Sequence, residues 1–308
     1  MKISVVVALY NGEKYIVSQL ESLKKQSVKP DEVILVDDRS KDSTIKIVHE
    51  YIINNGLENC WHLYINEKNK GHAKNFIEGV GYTTGDIVLF CDQDDIWNSD
   101  KIEKLVNVFY NHEDAYLVVG DVITFDDETG KILKEKKILD GNLEKITFGS
   151  HNIFFQYLGS SMCFKKKYFE QIQSYWVAGW LHDEWLWEMA IFNDGAYVLR
   201  EALMQRRVHA NNASIHMKHT KQSRYQQLLC QQNAIEQLKL YVENNDTDDL
   251  KKEKIIWLNK YNRATQLRIN LLKGKIFESI RLIKYLNYYK RKKGYLLDVL
   301  LSIRKNHE

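Results

Sequence analysis

Asp92, Asp94 and Asp95 place three carboxylates within four residues, directly after the apolar run Ile87–Cys91. Mutual repulsion makes such a cluster costly unless a cation is nearby. Carboxylate oxygens suit Mg²⁺ or Mn²⁺, and Mg²⁺ is usually held by one or two carboxylates together with water and substrate phosphates. The run therefore predicts a divalent metal site that a bound diphosphate completes. The alternative is an acidic turn that caps a helix starting near Ser99.

A second acidic pair, Asp37 and Asp38, directly follows the apolar run Val33–Val36. A carboxylate in this position can accept the N3–H of uracil or thymine, an imide proton that cytosine lacks. We favour Asp38 as this base-reading group, which would select UDP or dTDP. The alternative is that one of the two aspartates caps the helix that begins near Asp42.

Both acidic groups belong to a regular alternation of strands and helices. Short apolar runs predict strands, and segments with helical spacing of apolar residues follow each of them. This alternation predicts βαβ crossovers and a parallel sheet that binds ligands beyond the carboxyl ends of its strands. The predicted strands are Ile3–Leu9, Val33–Val36, Trp61–Ile65 and Ile87–Cys91, and the predicted helices include residues 42–54 and Lys74–Tyr82.

The pattern changes in the second half of the chain. Strand-like stretches at Tyr116–Val122 and Ile153–Phe164 predict a continuation of the same domain, and from residue 219 the spacing of apolar residues is helical. A polar break at residues 244–249 separates two long predicted helices. We therefore predict an α/β domain over residues 1–218 and a basic helical region over residues 219–308.

The composition is that of a folded globular protein. The 308 residues are 44% hydrophobic and 28% charged, which is typical of a globular protein. The four cysteines show no CxxC spacing and predict reduced thiols rather than a disulfide or zinc framework. No apolar run approaches the roughly 20 residues of a membrane-spanning helix, so a cytoplasmic protein is expected.

The C-terminal region combines apolar and basic residues at helical spacing. Ile276, Ile280 and Ile283 share one predicted face, and the basic run 290–293 lies nearby. This pattern predicts helices that lie on an anionic membrane, here the inner face of the cell membrane. The alternative is packing on the catalytic domain or on a second copy in a homo-oligomer. Nucleic-acid binding is not favoured, because the segment contains no known nucleic-acid-binding motif.

Five ordered segments resemble the signatures of family 2 glycosyltransferases, which have the GT-A fold, a Rossmann-like sheet flanked by helices. They are VVVALYNGEKYI, VDDRSKDST, NKGHAKNF, FCDQDDIW and HDEW, and the resemblance covers roughly residues 1–215. Within the family, the DQDDIW, HD-x-W and late R-x-H-x-x-N patterns are similar to bacterial rhamnosyltransferases of polysaccharide assembly. Two departures are Arg39, where the family usually has Gly, and Ala8-Leu9, where Pro-x or Thr-x is common.

The resemblance implies a role for each matching position in binding the nucleotide sugar. The backbone near Ala8 and Tyr10 would bracket the nucleobase, and Asp38 would pair with it. Asp92 would contact ribose and metal, and Asp94 would bind the metal. Lys74 and Asn75 would lie near the donor, and Arg207 and His209 would meet the diphosphate.

Family members of this kind invert the anomeric centre, so an acceptor hydroxyl must pass its proton to a base. We predict that Asp183 is this base and that Glu184 is its nearest rival. His182 would position a phosphate or the base, and Trp185 would contact the acceptor sugar. The alternative is a helix start that Asp183 merely caps.

These expectations describe an inverting, Mn²⁺- or Mg²⁺-dependent glycosyltransferase. It would move rhamnose from dTDP-rhamnose, or a hexose from a UDP-sugar, to a glycan or lipid-linked glycan in bacterial surface-polysaccharide synthesis. A sugar nucleotidyltransferase is one alternative, but it normally needs a Gly-rich basic loop after its first strand, and ALYNGEKY is not one. A non-catalytic scaffold is the other, and the intact Asp92, Asp94 and Asp183 disfavour it.

Overall fold

The computed structural model describes residues 1–134, 140–149, 152–210, 212 and 220–303, which form two compact units. The sheet unit comprises Met1–Thr147, Gln156–Gln171 and Leu181–Asn212. The helical unit comprises Phe148–Phe155, Ile172–Trp180 and residues 220–303. The predicted domain boundary between residues 218 and 219 lies outside the described residues and stays a prediction.

The strands are β1 (Ile3–Leu9), β2 (Glu32–Asp37), β3 (Trp61–Ile65), β4 (Ile87–Asp92), β5 (Ile96–Trp97), β6 (Leu117–Asp126), β7 (Ile132–Lys134), β8 (Leu143–Ile146), β9 (Met162–Lys165) and β10 (Ala196–Val208). The α-helices are α1 (Ile16–Lys24), α2 (Thr44–Asn54), α3 (His72–Val80), α4 (Lys101–Asn111), α5 (Lys166–Ile172), α6 (His182–Phe192), α7 (Lys221–Asn245), α8 (Asp248–Leu272), α9 (Glu278–Leu282) and α10 (Lys293–Ile303). Short 3-10 turns occupy Gly159–Ser161, Gln173–Tyr175 and Ile283–Tyr288.

All ten strands of the described residues join one sheet in the order β3-β2-β1-β4-β9-β6-β10-β5, with β7 on β6 and β8 on β10. The neighbours β3, β2, β1 and β4 are parallel. β9 is antiparallel to both β4 and β6, and β10 is parallel to β6. Because the two reversals cancel, β1, β2, β4, β6 and β10 end at the same edge, which we call the carboxyl edge. The predicted α/β fold with helices flanking the sheet is confirmed.

The central strands are apolar because both faces of the sheet are covered. Val5, Val6 and Val7 of β1 are fully buried, although successive side chains point to opposite faces. On one face α3 approaches β1 closely, and a Cβ atom at Gly79 would lie 2.6 Å from Cγ1 of Val6. A larger residue at Gly79 would therefore push α3 away from the sheet.

The structure corrects the strand predicted at Ile153–Phe164. Only Met162–Lys165 joins the sheet, after the 3-10 turn Gly159–Ser161. Phe154 belongs instead to the helical unit, where its ring lies 5.6 Å from Tyr261 and 6.4 Å from Trp257. The apolar run thus supplies two different cores, which its hydrophobicity alone does not distinguish.

The helical unit is built on the pair α7 and α8, which the predicted polar break separates. Thr220 caps α7 with a reciprocal hydrogen bond to Ser223. The two helices are cross-linked by hydrogen bonds from Gln231 to Thr265 (2.9 Å) and from Gln232 to Gln266 (2.8 Å). Among the described residues, no helix is both long enough and apolar enough to cross a membrane.

One buried carboxylate ties three helices of this unit together. Asp298 of α10 is fully buried and accepts hydrogen bonds from Nε of Arg224 on α7 and Nε of Arg268 on α8, both at 2.7 Å. Two guanidinium groups therefore compensate one carboxylate, and the guanidinium of Arg268 also lies 4.3 Å from the Tyr289 ring centre.

Candidate functional site

The carboxyl edge collects chemically active side chains from strands that are far apart in sequence. β4 ends at Asp92, β6 ends at Asp126 and β10 ends at Val208. The ends of these strands therefore come together, and they include three of the predicted donor-binding residues, namely Asp92, Arg207 and His209.

Asp92 and Asp94 are the partly exposed members of the acidic run. Their side chains are 35% and 17% exposed, whereas Asp95 is buried. Nε2 of His72 lies 3.3 Å from Oδ1 of Asp92, and Nε2 of His209 lies 2.9 Å from Oδ2 of Asp94. Two imidazoles thus flank the two carboxylates predicted to hold the metal.

Asp95 stabilises the loop that follows β4. Its carboxylate accepts hydrogen bonds from the hydroxyl of Ser160 (2.8 Å) and the backbone N–H of Arg207 (3.3 Å). These bonds connect the end of β4 to the 3-10 turn before β9 and to β10. Asp95 therefore fixes the loop that presents Asp92 and Asp94.

The electrostatics of the run show a surplus of negative charge. Burial, together with the neighbouring charge of Asp92, raises the pKa of Asp94. The pKa of Asp95 lies well above its usual range, because of burial and then the charges of Asp92 and Asp94. Burial also lowers the pKa of the nearby Lys101 to about 7, which weakens it as an internal counter-charge. A cation from outside the chain would relieve this conflict.

The side chains fit a metal site that the substrate completes. Across the described part of the chain, no group of three or more His, Cys, Asp or Glu side chains forms a full protein metal site. Two partly exposed carboxylates suit a hard divalent ion whose other ligands are water and phosphate. Asp92 and Asp94 would hold the ion, and His209 is close enough to Asp94 to contribute.

Asp183 approaches the same edge from α6. A Cβ atom at Gly159 would lie 3.2 Å from Cβ of Asp183, and Gly159 precedes Ser160, the partner of Asp95. The Asp183 side chain is partly exposed, and its Oδ1 accepts the N–H of Glu184 at 2.8 Å. The carboxylate of Asp183 also acts on His72. Burial lowers the pKa of His72, but the hydrogen bond and charge of Asp92, with a contribution from Asp183, leave it raised.

His182, predicted to position a phosphate or the base, and Trp185, predicted to contact the acceptor sugar, are both buried. His182 is 1% exposed, its ring lies 4.4 Å from that of Phe76, and burial holds its pKa well below the usual range. Trp185 is fully buried and packs edge-on against Phe169. Side chains in the first turns of α6 face the core as well as the edge, and the roles predicted for the two rings stay predictions. Glu184 is partly exposed.

Asp38 and Asn75 form a buried polar cluster behind the edge. Asp38 accepts hydrogen bonds from the backbone N–H groups of Lys70 (2.7 Å) and Gly71 (2.8 Å) and from Nδ2 of Asn66 (3.0 Å). Asn75 donates to the carbonyl of Val36 at 2.8 Å and accepts from Asn66. The cluster positions the loop before α3.

Lys74 and Asp37, which the sequence also singles out, both contact residues close to them in the chain. Lys74 is half exposed and pairs with Glu78 at 3.5 Å. Asp37 accepts a hydrogen bond from the N–H of Ser40 at 2.8 Å and so stabilises the turn after β2. Within that turn Arg39 has a φ of 70°, a conformation that favours glycine. This explains why glycine suits the position where the chain departs from the family pattern.

Gln93, between the two predicted metal ligands, contacts the residue predicted to bracket the nucleobase. Its Oε1 accepts the N–H of Tyr10 at 2.9 Å, and its Nε2 donates to the Tyr10 carbonyl at 2.8 Å. Tyr10 is exposed, and Ala8 pairs with Asp92 in the sheet. Sequence reasoning missed Gln93, although its place in the DQDD run is a signal.

Arg207 is held by residues that the sequence did not indicate. Its Nη1 donates to Oδ1 of Asp127 at 2.7 Å, and its guanidinium lies 5.0 Å from the Tyr15 ring centre. Asp127 also binds Nζ of Lys14 (2.8 Å) and the hydroxyl of Tyr15 (2.7 Å). The Tyr15 ring lies 4.3 Å from that of His209. The only sequence signal for Asp127 was an acidic pair at a strand end.

Comparisons with known proteins agree with this geometry. A sequence model described as Glycosyl transferase family 2 matches residues 4–172, more than half of the chain. The glycosyltransferase GlyG of Streptococcus pneumoniae is 27% identical over 200 residues, which cover 64% of this chain and 54% of that protein. The chain therefore spans about half the length of this curated relative.

Staphylococcus aureus TarS, a poly(ribitol-phosphate) β-N-acetylglucosaminyltransferase, is 35% identical over 121 residues, 39% of this chain and 21% of TarS. The structure of TarS 1–349 in complex with UDP-GlcNAc matches with a TM-score of 0.64 at 20% identity, covering 97% of this chain and 82% of that one. A Pyrobaculum calidifontis mannosyltransferase in complex with GDP-Man and Mn²⁺ matches with a TM-score of 0.55 at 16% identity, covering 98% and 84%. These structures share the GT-A fold, and the chain belongs to glycosyl transferase family 2.

Proposed function

We propose that this chain is an inverting, metal-dependent glycosyltransferase that moves a sugar from a nucleoside diphosphate to a saccharide acceptor in bacterial cell-surface polysaccharide synthesis. The observation that carries the proposal is that Asp92, Asp94 and Asp183 surround His72 at the carboxyl edge, where burial and the charge of Asp92 raise the pKa of Asp94. Family membership supports the activity.

The donor would bind across the ends of β1, β2, β4 and β10. Tyr10 and Asp38 would flank the nucleobase, and Asp92 would contact ribose. Arg207 and His209 would face the diphosphate, where a guanidinium can meet two phosphate oxygens at once. A divalent ion bound to Asp92 and Asp94 would stabilise the negative charge that develops on the leaving diphosphate.

The transfer itself would be one displacement. The acceptor oxygen forms a bond to the anomeric carbon as the bond from that carbon to the diphosphate oxygen breaks. Asp183 takes the hydroxyl proton, and the nucleoside diphosphate leaves. The partly exposed carboxylate on the first turn of α6 suits this role, since a general base must reach the acceptor.

Two nucleotide sugars are candidate donors. The DQDDIW and HD-x-W patterns favour dTDP-rhamnose, whereas the likeness to TarS, whose structure contains UDP-GlcNAc, favours that donor. A lipid-linked glycan is the proposed acceptor, and the polysaccharide would be a capsule or an O-antigen. The decisive assay is transfer or donor hydrolysis across a panel of nucleotide sugars, with Mn²⁺ and with a chelator. Full turnover with the chelator would remove the metal from the proposal.

A matched pair of variants tests the base. Asp183→Asn should lower kcat by roughly 10²–10⁴-fold, because a positioned base contributes about that much. The neighbouring Glu184→Gln serves as control and should keep most of the activity. The opposite result would make Glu184 the base. If both variants stay active, neither carboxylate takes the proton.

A further inference from the structure

The C-terminal part of the helical unit exposes large apolar side chains. We define the C-terminal surface as these residues together with the basic residues around them. Phe277 is 84% exposed, and the other six apolar side chains are each more than half exposed. They occur in two groups with helical spacing: Ile276, Phe277, Ile280 and Ile283 in the first, and Leu296, Leu300 and Ile303 in the second.

These exposed side chains do not belong to the core of the unit, because other faces of the same segments already pack against α7 and α8. Leu282 and Tyr289 lie in a buried cluster with Leu267 and Leu271 of α8. Leu301 of α10 lies in a second cluster with α7 and α8. The exposed groups are therefore additional apolar surface on elements that the fold already holds in place.

The two groups are linked within the unit. The hydroxyl of Tyr295 donates a hydrogen bond to the carbonyl of Ser279 at 3.2 Å. Ile280 follows Ser279 and Leu296 follows Tyr295 in the chain, so this bond joins the two exposed groups at neighbouring positions. The surface is thus held together by the fold and does not depend on either segment alone.

The charge around the apolar groups is strongly positive. Between residues 273 and 303 the chain has eight Lys and Arg residues and only two acidic residues. Both acidic side chains are buried: Asp298 lies between Arg224 and Arg268, and Glu278 pairs with Arg281 at 3.2 Å. The basic residues are all exposed, namely Lys273, Lys275, Arg281, Lys284, Lys290, Arg291, Lys292 and Lys293.

Charge complementarity decides among the partners of such a surface. A second copy would place one basic surface against another, and like charges facing each other are unfavourable. A nucleic acid would meet the positive charge but leave the apolar side chains in water. An anionic bilayer satisfies both, because apolar side chains enter the acyl boundary while Lys and Arg meet anionic headgroups.

We propose that the C-terminal surface docks this chain on an anionic phospholipid membrane. Phe277 and the two isoleucines after it enter the bilayer interface, and the basic run 290–293 contacts the headgroups. The proposal is independent of the catalytic one, since membrane binding is measured without donor, acceptor or metal. An inactive chain can bind vesicles, and an active chain can fail to bind them.

The test is co-flotation of the whole chain with vesicles of phosphatidylglycerol and phosphatidylcholine, and with vesicles of phosphatidylcholine alone. The chain should float with the anionic vesicles, less with the neutral ones, and less again at high salt. Phe277→Glu should weaken anionic-vesicle binding at least tenfold. Replacing all four residues of the run 290–293 by Gln should weaken binding to anionic vesicles by roughly 10²-fold or more, since each Lys or Arg side chain near the membrane contributes.

A pair of isoleucines supplies the control. Ile283 and Ile256 are both 55% exposed, but Ile256 lies on α8 outside the C-terminal surface. Ile283→Glu should weaken vesicle binding several-fold, and Ile256→Glu should leave it unchanged. Circular dichroism would show that both variants fold.

Three outcomes would overturn the proposal. The first is equal binding to neutral and anionic vesicles. The second is an equal loss with Ile256→Glu and Ile283→Glu. The third is a chain that fails to float but elutes as a dimer in light scattering, with Phe277→Glu restoring the monomer, because the surface would then bind a second copy.

Discussion

The carboxyl edge of the sheet unit and the core of the helical unit both bury aspartates, but they compensate the charge in opposite ways. Asp298 lies between two guanidinium groups at 2.7 Å, so its charge is balanced inside the chain. Asp92, Asp94 and Asp95 lie close together without a guanidinium pair of this kind, and burial and then the neighbouring carboxylates raise the pKa values of Asp94 and Asp95. A balanced carboxylate indicates a structural role, whereas an unbalanced cluster indicates a ligand of opposite charge.

The largest expected effect on stability is at the balanced site. Asp298→Ala leaves the buried guanidinium of Arg268 and the partly buried guanidinium of Arg224 without their partner, so the free energy of unfolding should fall by about 3–5 kcal/mol. Urea unfolding measures this. Glu236→Ala removes an exposed carboxylate that pairs with Lys239, and should cost at most about 1 kcal/mol. Equal losses in the two variants would show that the Asp298 cluster is not special.

At the cluster of Asp92, Asp94 and Asp95 we expect a substitution to lower activity rather than stability. Asp94→Asn should lower kcat/KM by roughly 10²-fold or more, because a metal ligand is lost, while removing a repulsive charge should leave stability unchanged or slightly higher. Kinetics with Mn²⁺ and thermal unfolding without it measure the two effects. Asp100→Asn, in an exposed pair with Lys104, is the control and should change neither. A destabilised but active Asp94→Asn would make the cluster structural.

A smaller effect is expected where the acidic run contacts Tyr10. Gln93→Glu replaces the amide that donates to the Tyr10 carbonyl by a carboxylate that cannot donate. One hydrogen bond is lost at the predicted nucleobase site, so the KM for the donor should rise by about tenfold with a smaller change in kcat. Gln266→Glu in the helical unit is the control. An unchanged donor KM would separate Gln93 from nucleotide binding.

The smallest effect concerns Asp127, which resembles Asp298 in having cationic partners. Hydrogen bonds from Lys14, Tyr15 and Arg207 hold its pKa well below the usual range. A lowered folded-state pKa stabilises the fold above the unfolded value of about 3.9, and this stabilisation is lost as the pH falls toward the folded value. Asp127→Asn should therefore lower the melting temperature by about 2 °C at pH 7, with a smaller difference below pH 4. A difference that is independent of pH would contradict this.

Much of the sheet unit could be predicted because its signals are local. An apolar β-branched run such as Val5–Val7 specifies a buried strand, and the DQDD run after another specifies a charged strand end. Ile153–Phe164 was predicted incorrectly because hydrophobicity does not say which core a segment joins. The burial of His182 and Trp185 was not predicted for a related reason, since successive residues in one turn of a helix point to different surroundings.

The sequence by itself determined the α/β alternation, the acidic runs at strand ends and the basic C-terminal region, because each depends on residues close together in the chain. Only the tertiary structure decided that Gln93 pairs with Tyr10, that Asp127 holds Arg207, and that Asp298 is enclosed by two arginines. These contacts join residues that are 74–83 positions apart, except for Arg268 and Asp298, which are 30 apart. Such contacts depend on strand order and helix packing, which no local pattern specifies.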